Sequence, residues 1–261
     1  MTGRDLLGLA TQTARAAGAL LLDHAQHAPV NVSSKSSRTD QVSDADRAAE
    51  ALIVAAIRAA RPGDRIVAEE GGGSDGGTGL TWYVDPLDGT TNFLYGIPHW
   101  AVSIGCEDAD GAVAGAVYDP LRDELFAAQR GGGAFLGALP LAVRPLADPA
   151  TALVATGFSY DPDERAAQTA VAARLAPRIR DLRRSGAASL DLAWVAAGRL
   201  DAYTEVMRSR WDWSAGALLV TEAGGRVSWT AREEIVASGP LLHDRLLLLL
   251  QDAHEQDEKT V

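Results

Sequence analysis

Asp85 and Asp88 stand three positions apart in the stretch WYVDPLDGTTNFLY, residues 82–95, and no Lys or Arg occurs between Arg65 and Arg122. Two carboxylates held on one tight turn repel each other by roughly 4 kcal/mol at 4 Å and an effective dielectric near 20. A fold tolerates that by protonating one of them, by bringing up a cationic side chain, or by binding a metal. An all-oxygen set of Asp side chains and loop carbonyls suits a hard divalent ion, Mg²⁺ before others. Gly89, Thr90 and Thr91 come next and read as the opening of a short helix, whose free N–H groups suit an anion such as phosphate. The same residues would also make an ordinary Asp-Pro turn with a helix cap, so this motif alone leaves both readings open.

Two further acidic groups fall at places where elements begin or end. Glu69-Glu70 follows a short strand, and Asp212 opens the apolar helix of RWDWSAGALLVTEAGG. Asp212 also has a purely structural reading, because an N-cap position favours its charge. The five histidines are scattered without metal-ligand spacing, and His99, between Pro98 and Trp100, reads as a packing or surface residue. Cys106 sits in the apolar run WAVSIGC and reads as a small buried residue rather than a nucleophile.

The elements that must hold these groups follow from periodicity. Residues 3–27 form an amphipathic helix with Leu6, Ala10, Thr13, Ala17, Leu20 and Leu21 on one face. Residues 31–43 are polar and read as an exposed loop or hairpin, and Ser43 caps a second helix over about 44–60. Residues 65–68 form a strand delivering Glu69, while 71–79, GGGSDGGTG, lack anything that can pack and read as mobile. A strand ends at Val84, where Pro86 breaks the ladder. Strands at 100–107, 112–118, 124–128 and 133–136 follow as an antiparallel meander. From 150 the pattern alternates: strand 152–156, helix 163–175, strand 179–184, helix 187–198, strand 201–206, helix 212–223, strands 226–229 and 234–237, and helix 240–252. The charged tail from Gln251 is expected to fray. Such an order makes an α+β layered sandwich.

Composition excludes several classes. At 261 residues and 47% hydrophobic content the chain can bury a large core. A net charge of −11 argues against nucleic acid or an anionic membrane as partner. It also strengthens the case for a metal, because a phosphate dianion needs a cation to enter such a surface. A single cysteine excludes an internal disulfide and fits a reducing compartment. The N-terminus has no signal-peptide pattern and the longest apolar run near the C-terminus is too short to span a bilayer, so a cytoplasmic location is expected.

Taken together, VDPLDGTTNF, the Glu69-Glu70 pair before it and WDWSAGALLVTEAGG after it resemble the inositol monophosphatase family of Mg²⁺-dependent phosphatases. KSSRTDQVSDAD at 35–46 is similar to that family's N-terminal loop motif, so the resemblance spans about residues 35–225. It implies a five-layer αβαβα sandwich, with residues 1–145 as an N-terminal α+β subdomain carrying the metal loops and 146–261 as a C-terminal αβ subdomain completing the site. It further implies that Glu69, Asp85 and the Leu87 carbonyl hold one Mg²⁺, that Asp85, Asp88 and Asp212 hold a second, and that a third leans on Glu69. The amides of Gly89 and Thr90 would bind phosphate, Thr90 and Glu69 would orient the attacking water, and Asp46 would support Thr90. Glu205 and Ala188 match substrate-contacting positions. Thr91 stands where histidinol-phosphate and adenosine-bisphosphate members often carry Lys, which favours inositol 1-phosphate or a related polyol ester over histidinol phosphate or a sugar bisphosphate. Trp213, Ser214 and Arg210 depart from the family pattern and are expected near the leaving group. The resemblance also implies a homodimer, and a regulatory or scaffold role on the same fold is the alternative of a different class.

Overall fold

The computed structural model describes residues 2–27, 32–34 and 41–258. In chain order its first half contains α1 (Gly3–His27), β1 (Val32–Ser34), β2 (Gln41–Ser43), α2 (Asp44–Ala60), β3 (Arg65–Ala68), β4 (Thr81–Asp88), α3 (Thr90–Leu94), β5 (Ala101–Asp108), β6 (Gly111–Asp119), β7 (Glu124–Gln129), β8 (Gly133–Leu136) and β9 (Leu139–Pro140). The second half adds β10 (Leu153–Thr156), α4 (Pro162–Leu175), β11 (Asp181–Arg183), α5 (Ala188–Ala196), β12 (Ala202–Val206), α6 (Arg210–Glu222), β13 (Arg226–Trp229), β14 (Glu234–Ser238) and α7 (Pro240–Glu258).

Strands β3 to β9 form one seven-stranded sheet in sequence order, parallel between β3 and β4 and antiparallel in every later pair. Strands β5 to β8 are the antiparallel meander expected over residues 100–136. The second sheet runs β11-β10-β12-β14-β13, with β10 parallel to both β11 and β12. The period of two along each strand then assigns the faces. Leu6 and Leu21 of α1 and Ile53 and Ile57 of α2 bury against Trp82, Ile104, Ala114 and Ala116 on one face of the large sheet. Val117 and Phe126, on its other face, meet Leu190 and Leu192 of α5 and Leu219 of α6. The same helices cover Tyr203, Ile235 and Ala237 of the small sheet. Val154, Ala202 and Val236 point the opposite way, to Leu175 of α4 and Leu242, Leu246 and Leu250 of α7. The layers are therefore helix, sheet, helix, sheet, helix, the expected five-layer sandwich. The α5/α6 pair serves both sheets.

Three expectations give way. Residues 71–79 do pack: Ile66 and Ser74 exchange backbone hydrogen bonds at 2.8 and 2.9 Å, and Gly77 N–H donates to Gly63 at 3.0 Å. Gly73 and Gly76 lie so close to the backbone of Ile66 and of residues 63–65 that a Cβ would collide, so the glycines serve close approach rather than looseness. Strand β4 does not stop at Val84 but runs through Pro86 to Asp88, with a register shift between the Asp85–Ser103 and Asp88–Ala101 pairs. One extra residue on β4 there forms a bulge, which accommodates the missing Pro86 N–H. Helix α7 continues past Gln251 to Glu258, because buried Ala253 extends its apolar stripe and His254 Nε2 lies 3.2 Å from Glu234. Of the 35–46 motif, residues 35–40 lie outside the described residues.

Candidate active site

The parallel pairing of β3 with β4 places Ala68 beside Val84, so the next residues, Glu69 just past the end of β3 and Asp85 within β4, lie side by side. Glu69 N–H donates to the Val84 carbonyl at 3.1 Å and fixes that approach. Asp85 is 2% exposed. Burial pushes its pKa well above the usual carboxylate range, and the charges of Glu69, Asp88 and Asp212 push it further. Its carboxyl lies within hydrogen-bond reach of that of Glu69 and also accepts from Leu87 N–H at 3.0 Å.

Asp88, at the end of the bulge, turns the other way. It accepts from Ala188 N–H at 3.1 Å, Ser189 N–H at 2.7 Å and the Ser189 hydroxyl, capping α5 from a distant part of the chain. Burial raises its pKa, while the Ser189 donors pull it back. Gly89 follows with φ +93°, a left-handed conformation that favours glycine, and its surroundings (the His99 carbonyl, Ala187 and Gly186) leave little room for a Cβ. Thr90 then starts α3. Its hydroxyl lies 2.9 Å from Asp46 Oδ1 and 3.1 Å from the Leu87 carbonyl. Asp46 is fully buried and closes a capping box with Ser43, so α2 both carries and orients it.

Asp212 reaches the same cavity from the first turn of α6, which begins at Arg210 with Ser209 as its cap. It is not the N-cap that its sequence context suggests. The helix is pinned to β5: Ser103 Oγ donates to the Trp211 carbonyl at 3.2 Å, Arg210 to Glu107 at 2.6 Å and Ser214 to Glu107 at 2.8 Å. Arg210 and Ser214 therefore hold α6 on the large sheet, and Trp213 packs edge-on against Trp229 at 4.8 Å. None of the three lines the cavity, contrary to expectation.

The cavity, about 370 Å³, lies between the two sheets at the ends of β4, β10 and β12. It is lined by Glu69, Asp85, Leu87, Asp88, Gly89, Thr90, Ala188, Glu205 and Asp212, and Asp46 stands directly behind Thr90. The sequence reading missed Ser189, Asp191, Tyr203, Gly157 and Arg184. The GAAS turn at 186–189 was the one local signal for Ser189. Asp191 is 1% exposed and lies 3.4 Å from His99 Nε2, whose ring meets Trp194 edge-on at 5.0 Å. The Tyr203 hydroxyl donates to Glu205. Burial raises the Glu205 pKa to about 7, offset in part by Tyr203 and Arg184.

No three acidic, imidazole or thiol side chains among the described residues close a metal cage by themselves. The donor chemistry nonetheless fits a hard cation. After burial itself, the largest influences on Asp85 are three other carboxylates, Glu69, Asp88 and Asp212, all disfavouring its charge.

The profile of the inositol monophosphatase family matches residues 4–258. The chain is 43% identical over 246 residues to a Pseudomonas aeruginosa protein named Nus factor SuhB, covering 92% of this chain and 91% of that one. It is 43% identical over 235 residues to the inositol-1-monophosphatase SuhB of Mycobacterium tuberculosis, covering 84% and 81%. The crystal structure of the extragenic suppressor protein suhB of Bartonella henselae superposes with a TM-score of 0.89 at 36% identity, over 94% of this chain and 98% of that one. By profile, sequence and fold, the chain belongs to the inositol monophosphatase family.

Proposed function

We propose that the protein is a Mg²⁺-dependent phosphatase of a small phosphate monoester, inositol 1-phosphate or a related polyol ester first. The observation that carries this is the crowding of buried Asp85 by Glu69, Asp88 and Asp212 beside a glycine-opened helix. Glu69, Asp85 and the Leu87 carbonyl would hold one Mg²⁺, and Asp85, Asp88 and Asp212 a second, with a third against Glu69. Bound there, divalent ions supply an activated water and stabilise charge on the departing oxygen.

The chain's own residues do the rest. Gly89 and Thr90, at the start of α3, line the cavity, and their amides would bind the phosphate oxygens. The Thr90 hydroxyl, with one proton to give, is oriented by Asp46, so its lone pairs and Glu69 can direct a water toward phosphorus. Glu205 accepts hydrogen bonds from hydroxyls of the leaving group, and Ala188 packs beside it. Histidinol phosphate and sugar bisphosphates are the neighbouring substrates within this chemistry.

Release of phosphate from a panel of monoesters, with Mg²⁺ and with a chelator, tests the reading. Metal-dependent turnover fastest on a polyol ester supports it; no release from any ester with Mg²⁺ present ends it. The name of the Pseudomonas relative favours a second role, regulatory and partner-binding, on the same fold. In that role the protein still engages its partner when Asp212→Asn has silenced turnover.

A further inference from the structure

Glu205 reaches the cavity through two neighbours that no part of the proposed chemistry uses. Along β12 side chains alternate, so Tyr203 and Glu205 share a face, and the buried Tyr203 hydroxyl donates to Glu205 Oε2. Burial and the Glu205 charge hold the Tyr203 pKa well above its ordinary value, so the phenol remains a donor. In the parallel pairing of β10 with β12, Thr156 stands beside Thr204, which puts Gly157 next to Glu205. A Cβ at Gly157 would land on the Glu205 carboxylate. Gly157 is not among the residues with positive φ, so the glycine is there for space and not for its backbone.

A smaller cavity of about 40 Å³ shares Thr156, Gly157 and Glu205 with the first and is lined on its far side by Thr204, Glu234 and His254. The Thr204 hydroxyl donates to Glu234, on the face of β12 opposite to Tyr203 and Glu205. On the active-site face, Tyr203 gives the Glu205 carboxylate a fixed partner, and Gly157 leaves room beside it.

We propose that Tyr203 and Gly157 are positioning residues that hold the Glu205 carboxylate toward the active-site cavity, and so set the preference for esters whose leaving group carries hydroxyls. This rests on the reading of Glu205 as a contact to those hydroxyls. A hydroxyl-bearing leaving group gains from a carboxylate already oriented, whereas p-nitrophenyl phosphate offers it nothing.

The test compares kcat/KM for the fastest polyol phosphate with that for p-nitrophenyl phosphate, in the full chain with Mg²⁺. In Tyr203→Phe the ratio falls roughly three- to tenfold, the size of one lost hydrogen bond, and the change lies in KM. Gly157→Ala lowers the ratio at least as far. Adding Tyr203→Phe to Glu205→Gln changes the ratio no further, because both act through one carboxylate. Equal losses on both esters, or a Tyr203→Phe effect that adds fully to that of Glu205→Gln, would mean a merely structural role and overturns the inference. If Glu205→Gln lowers the ratio and Tyr203→Phe does not, the positioning role alone falls. If Glu205→Gln itself leaves the ratio intact, the contact to hydroxyls falls and takes this inference with it. Tyr203→Phe removes one oxygen and decides the matter if Gly157→Ala fails to fold.

Discussion

The Thr90 hydroxyl lies 2.9 Å from the Asp46 carboxylate, across 44 positions of sequence. Asp46 is itself held by the Ser43 hydroxyl and by Ser43 N–H at 2.8 Å, so the start of α2 and the start of α3 form one unit. In Asp46→Ala the hydroxyl turns freely between the Leu87 carbonyl and solvent. A misplaced water costs up to about a hundredfold in rate, so kcat should fall by roughly ten- to a hundredfold. Loss of the capping box should cost about 1 kcal/mol of stability as well. Steady-state kinetics and thermal unfolding on the same preparation read both; an unaltered kcat removes Asp46 from the proposed machinery.

Asp85→Asn should have opposite effects on activity and on metal-free stability. Removing the charge shared between the proposed ions should lower turnover at least about a hundredfold, since metal stabilisation is worth several kcal/mol. Without metal, the same change relieves a buried carboxylate opposed by Glu69, Asp88 and Asp212. The metal-free variant should melt a few degrees above the metal-free parent, at roughly 2–4 °C per kcal/mol for a chain of this size. A lower melting point would show that Asp85 is not strained.

The stabilisation given by Mg²⁺ should grow as pH rises from about 4 towards neutral. Asp85 and Asp88 have folded pKa values raised above the ordinary 3.8, and Glu205 is raised from 4.5 to about 7. At these three groups the metal-free folded state therefore binds more protons than the unfolded chain in this window, and their contribution to its stability falls as pH rises. Mg²⁺ replaces the protons on Asp85 and Asp88 and cancels their part of that loss. Melting curves with Mg²⁺ and with a chelator at successive pH values give the difference directly. A difference that shrinks with pH contradicts the assignment.

Ser189→Ala should weaken Mg²⁺ binding more than it slows the saturated enzyme. The Ser189 hydroxyl and N–H both orient Asp88. Losing a group that orients a metal ligand costs about ten- to a hundredfold in affinity. A rise of that size in the Mg²⁺ needed for half-maximal activity is expected, read by titration at saturating ester. No change in that midpoint would release Asp88 from its assigned role.

Gly76→Ala should destabilise the fold by about 1–3 kcal/mol, the usual cost of forcing atoms into filled space. A Cβ there would strike the backbone of Asp64 and Arg65. Denaturant unfolding measures the cost, and a neutral result would mean that the segment does not rest on β3 as described.

Local chemistry carried much of this architecture. Turn residues at Asp110-Gly111, Pro120 to Asp123 and Gly131 to Gly133 marked the boundaries of β5 to β8, the Ser43 cap marked α2, and the Asp85–Asp88 spacing marked the acidic centre before any fold was known. Each depends on residues within about ten positions of one another. Where local cues conflicted they misled. Glycine content made 71–79 look loose because composition cannot show the strand that those glycines lie against. Pro86 seemed to end a strand that instead bulges and continues.

The sequence by itself determined which residues could do chemistry, because side-chain charge and neighbour spacing are local properties. Only the tertiary structure decided which of them meet. Asp212 joins Asp85 because Glu107 and Ser103 anchor α6 to β5. Ala188 joins Asp88 because the α5 amides find their cap a hundred positions earlier in the chain. Glu205 faces the cavity because β12 lies beside β10, where Gly157 leaves room. Strand order and helix docking are settled by which apolar faces bury together, and no short stretch of sequence contains that information.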